Sequence, residues 1–79
     1  MNTYDHYQET KAIIEMLQGT SLNDYAALLQ GALDEGSTGT EIFMALRWNI
    51  GNLLNEIDLD DATRTRAKKL WEALDMALQ

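Results

Sequence analysis

From Thr38 to Ile57 the chain reads as one helix with apolar residues on two opposite faces. At about 3.6 residues per turn, Ile42, Phe43, Leu46, Ile50, Leu53, Leu54 and Ile57 share a stripe. Met44, Trp48 and Gly51, spaced i, i+4 and i+7, line up on roughly the other side. A surface helix in a small bundle ordinarily buries one stripe, so the second face needs a cover. Either a helix of the same chain lies over Trp48, the first helix being the candidate, or another molecule does. Gly51 sharpens the question, because a glycine inside a helix costs about 1 kcal/mol relative to alanine. Close approach of some neighbour would compensate for it.

The rest of the chain has the same period, and strand-like alternation is missing throughout. The fold class is all-α, a compact antiparallel bundle of four helices at about 4–18, 22–35, 39–57 and 60–78. The first helix takes Asn2 or Thr3 as its N-cap and stops at Gly19. Its stripe is Tyr7, Thr10, Ile13, Ile14 and Leu17, with His6 at the edge. Ser21, three residues ahead of Asp24, caps the second, whose stripe is Leu22, Tyr25, Ala26, Leu28, Leu29, Ala32 and Leu33. Gly36 ends that helix. Thr38 and Glu41 fit a capping box for the third. The acids of Asp58–Asp61 cap the fourth, which turns Thr63, Ala67, Leu70, Trp71, Leu74, Ala77 and Leu78 inward. Asp60–Arg64 and Lys68–Glu72 have the i, i+4 spacing of helix-surface ion pairs. The short connections favour antiparallel neighbours.

Seventy-nine residues make a single helical domain, 1–79. Surface scaling gives roughly 12,900 Å² exposed unfolded and about 4,800 Å² folded, a marginal core. With 46% hydrophobic and 24% charged residues, the composition is globular. The chain contains no cysteine, which removes disulfides and thiolate chemistry and favours a reducing, cytoplasmic setting. No apolar run approaches the roughly 18 residues of a membrane span, so a membrane partner is not expected. The net charge of −7 is uneven: residues 1–46 hold seven acids and one base, Lys11. Such a balance repels phosphate backbones and attracts basic partners.

Tests for chemistry return little. Gly31 to Thr38 spaces its glycines like a phosphate loop, but it lacks the lysine and puts Asp34 and Glu35 where phosphate would sit. Asp58 and Asp60 open like a calcium loop, but Ala62, Thr63 and Lys69 occupy ligand and turn positions. His6 is the sole histidine, so neither a triad nor a His-based metal site can be assembled within one chain. Asp34–Glu35 and Asp60–Asp61 do not converge as acid–base catalysis requires. No catalytic residue, metal or cofactor is therefore assigned.

What remains is the second face of the third helix: Met44, Trp48 and Gly51, with Arg47, Asn52 and Asn55 beside it. Tryptophan, methionine and arginine are enriched at interface centres. Met76 and Ala73 could extend the contact from the last helix. The sequence therefore points to a non-catalytic protein-interaction module, self-associating through the third helix, with a homodimer possible. One alternative is a small nucleic-acid-associated regulator using Arg64, Arg66, Lys68 and Lys69, although nucleic acid suits the acidic helix start poorly. A further alternative is an immunity or inhibitor-type protein that masks a basic partner. A small-molecule pocket beside Trp48 is a third possibility.

Overall fold

The computed structural model describes residues 4–79. Its helices are α1 (His6–Leu17), α2 (Asn23–Glu35), α3 (Gly39–Leu53) and α4 (Asp61–Ala77). Each of α1 and α3 packs against both α2 and α4. Between the diagonal pairs, α1 with α3 and α2 with α4, the described residues make no close backbone approach. The result is a four-helix bundle closed in the order of the chain.

One stripe from each helix fills the centre. Ile13, Leu29, Leu46, Ile50, Leu53, Leu70 and Leu74 are completely buried, with Leu17, Ala26 and Ala67 beside them. Each large aliphatic side chain taken from water contributes about 1.5–3 kcal/mol, so this cluster is the main stabilising term. Thr10 is buried too, and its hydroxyl donates to the carbonyl of His6 at 2.7 Å. The aromatic ring of Phe43, on α3, meets those of His6 and Tyr7 on α1, with ring centroids 4.6 and 5.7 Å apart.

The helix ends differ from the sequence expectation in instructive ways. Asn2 and Thr3 lie outside the described residues; α1 is capped by Asp5, whose carboxylate accepts from the amides of Tyr7 and Gln8. Gly19 stops the helix with φ +80°, a conformation a Cβ would penalise. Ser21 does not cap α2. The hydroxyl of Thr20 instead donates to Leu17 O at 2.6 Å and accepts from Leu22 N, so one side chain closes the turn. At α3 the capping residue is Thr38, which accepts from Glu41 N at 3.1 Å. Ser37 donates to the Glu41 carboxylate at 3.2 Å.

The largest correction concerns where α3 ends. The sequence carries it to Ile57, but it stops at Leu53, and Ile57 is 92% exposed. The guanidinium of Arg64 reaches back to donate to the carbonyls of Leu54 at 2.7 Å, Glu56 at 2.8 Å and Leu59 at 3.4 Å. Carbonyls left over at the helix end are thus satisfied by a side chain of the next helix. Leu59, only 5% exposed, supplies the apolar plug under this turn that the periodicity had assigned to Ile57. Asp60 is the N-cap of α4 but makes no side-chain capping bond. Arg64 is therefore a turn anchor, and the anticipated Asp60–Arg64 pairing gives way to it.

Candidate interaction site on the third helix

The outer face of α3 is open. Trp48 is 71% exposed and Met44 53%, so neither is covered from within the chain. The bundle order explains this: α1, the helix proposed to lie over Trp48, is diagonal to α3. Trp48 is neither core nor packed beneath a neighbour.

Gly51 has a different explanation. A Cβ built on it would sit 3.3 Å from Nε1 of Trp71, an indole on α4. What lies against the glycine is therefore a ring of the same chain. Glycine lets α4 bring Trp71 close to the α3 backbone, and this contact offsets the propensity cost. Arg47 also looks inward to its neighbour. Its Nη1 donates to Asp75 Oδ1 at 2.6 Å, tying α3 to α4 with both side chains about one-third exposed. Partial exposure keeps such a pair to about 1 kcal/mol or less.

Between them, Met44, Arg47, Trp48, Gly51, Asn52, Asn55 and Trp71 line a cleft of about 510 Å³. All six residues singled out on the sequence thus meet at one place. Trp71 is the residue that sequence reasoning missed, because it assigned this side chain wholly to the inward stripe. It is half-buried and forms the far wall. The signal was present: Trp71 precedes Glu72 and sits one turn from Lys68 and Asp75, at the polar border of its stripe. Past Trp71 a second hollow, about 330 Å³, continues between Leu54, Arg64, Lys68 and Glu72. Met76, 75% exposed, stands further along α4.

Electrostatically the cleft is unusual for this chain. Its one charged lining residue, Arg47, is compensated by Asp75. Across the bundle, α2 carries Asp24, Asp34 and Glu35 with no base, whereas α4 carries four bases and three acids. Titration is perturbed elsewhere. Tyr25 is pushed up because its hydroxyl donates to Glu56 at 2.7 Å, with burial adding to the shift. Burial, then the Glu9 carboxylate, raises Tyr4. Arg66 is raised by its bidentate hydrogen bonds to Glu9, at 2.6 and 3.0 Å. These contacts join elements of the bundle and none belongs to the cleft.

Comparison with protein-family models, with curated proteins and with solved structures finds no match for this chain. Among the described residues no helix is long and apolar enough to cross a membrane.

Proposed function

We infer that this protein is a non-catalytic interaction module that docks, and self-associates, through the outer face of α3. The observation carrying this reading is the 71% exposure of Trp48 beside Met44, at the lip of a cleft walled by a second tryptophan. A folded chain gains about 25 cal/mol for each Å² of apolar surface it removes from water. A bundle with a marginal core that leaves a tryptophan and two methionines out forgoes that gain, and a docking partner recovers it. The cleft walls are apolar groups, amides and one compensated ion pair. That set suits recognition rather than proton transfer.

The nucleic-acid reading draws less support. The Arg64 guanidinium is occupied by three backbone carbonyls and that of Arg66 by Glu9, so neither is presented to a phosphate. A surface masking a basic partner is favoured by one observation, the acid-rich α2 with Leu28 half exposed. It would use α2 and leave Trp48 idle.

Trp48→Ala separates these uses. With so little of the indole buried, helicity and thermal midpoint stay close to wild type, while association measured by sedimentation is lost. Loss of the fold instead would make Trp48 a structural residue and sink the reading.

A further inference from the structure

A hollow of about 300 Å³ lies where the end of α1 and the turn after it face the turn that leads into α4. It shares no lining residue with the α3/α4 cleft, and its use does not depend on docking through α3. Met16 and Leu17 of α1, Leu22 at the start of α2 and Leu59 of the turn give it apolar walls. A cavity of about 150 Å³ holds a benzene ring, so a short carbon chain has room here. The polar lining is Thr20, Asp58, Asp60 and Thr63. Thr20 is occupied, since its hydroxyl closes on Leu17 O and Leu22 N.

Thr63 points to a ligand. It is only 2% exposed, yet its hydroxyl meets no hydrogen-bond partner among the described residues. Thr10, Thr20 and Thr65 each donate to a backbone carbonyl three or four residues back. For Thr63 the residue four back is Leu59, which precedes the helix and whose carbonyl accepts from Arg64 instead. Among the described residues, the one fully enclosed side-chain oxygen without a partner is the Tyr4 hydroxyl. The unpaired oxygen of Thr63 is therefore open to the hollow its side chain lines. A buried hydroxyl left unpaired destabilises the fold, and a ligand that bonds to it removes that penalty.

Asp58 and Asp60 set the sign of the ligand. Neither belongs to the ion pairs of the described residues, Arg47–Asp75 and Arg66–Glu9. Arg64, four positions after Asp60, is held by three backbone carbonyls and does not neutralise them. The positive end of the α4 dipole amounts to about half a charge, so two carboxylates leave the site negative. A calcium ion takes roughly six to eight oxygens, and no group of three acids or histidines able to hold a metal occurs among the described residues. An organic ammonium fits better. It carries three donors and no acceptor, the complement of two carboxylates and a hydroxyl. Its carbon stem suits apolar walls, as the stems of lysine side chains do on protein surfaces.

We propose that this hollow binds a primary ammonium on an unbranched alkyl stem. The ammonium donates to Asp58, Asp60 and Thr63, and the stem lies against Leu17, Leu22 and Leu59. A free alkylamine and a lysine side chain of another protein share this chemistry.

The test titrates the isotope-labelled full chain by heteronuclear NMR at neutral pH and constant ionic strength. One arm uses n-pentylamine and the other N-acetyl-lysine N-methylamide, with circular dichroism confirming the fold of each variant. Saturable shifts are expected at the amides of residues 16–22 and 58–63. Pentanol has the stem without the charge, and methylammonium the charge without the stem; each should bind at least about tenfold more weakly than pentylamine. Thr63→Val removes the hydroxyl at nearly constant shape, and Asp60→Asn removes a charge while keeping a good N-cap residue. Each should weaken binding about fivefold. Binding of pentylamine alone assigns the site to free amines, and binding of the lysine derivative shows that a protein side chain can reach it. Three results overturn the proposal: neither ligand gives saturable shifts at these residues, pentanol or methylammonium binds as well, or either variant binds as wild type does.

Discussion

Gly36 has the least room of any glycine in the chain. A Cβ there would collide with Cγ1 of Ile42 and fall 3.3 Å from both Ile42 Cα and Ala32 O. The clash involves backbone as well as side chain, so it cannot be relieved by a rotamer change alone. Gly36→Ala should lower stability by about 1–3 kcal/mol, the range of core overpacking, in urea or thermal unfolding. Trp48→Ala belongs at the other extreme, with a change in monomer stability within about 0.5 kcal/mol. Composition alone does not distinguish these two residues. The helical period placed Trp48 outside the main stripe, and that much was legible in the sequence. Whether a neighbour covers it depends on which helix sits diagonally, and no residue of α3 records that. Gly51 is the reverse case: its notch was visible, but Trp71, the ring that fills it, lies twenty positions along the chain.

At the scale of elements, stop signals explain more than stripes do. Gly19, Gly36 and the Thr38 cap were readable because each acts through its immediate neighbours. The end of α3 was not, because it is set by Arg64 from the following helix. Arg64→Ala should cost about 1–3 kcal/mol, since it leaves carbonyls of the turn without their donor. Arg64→Lys should recover only part of this, because an ammonium lacks the planar fork that serves several acceptors. Chemical denaturation of the two variants beside Lys68→Ala, which should be near neutral, checks the ranking. The α2 connection to the same turn rests on Tyr25 and Glu56. Tyr25→Phe should cost about 1 kcal/mol at neutral pH. The folded phenol titrates above its unfolded value, so its contribution is complete below about pH 10 and fades as pH rises through the raised folded value. Wild type and Tyr25→Phe should therefore converge in stability in strong alkali. A constant difference across that window would show that the hydrogen bond is not its source.

At the scale of the whole molecule, a four-helix bundle of this size buries one stripe per helix and has nothing left to cover a second. The seven large apolar side chains that fill the centre of the ring come from four short helices, and α3 is the one with an apolar surplus. That surplus was the strongest signal in the sequence, and the bundle leaves it facing outward between α3 and α4. The central claim is that this surface is covered by another molecule, a second copy of the chain. Fluorine NMR of the fluorotryptophan-labelled chain, with the two resonances assigned through Trp71→Phe, measures it directly. As concentration rises from micromolar to millimolar, the Trp48 resonance should shift and lose its sensitivity to solvent isotope, tracking the sedimentation midpoint. A Trp48 resonance that stays solvent-exposed and unmoved over the same range would contradict the account.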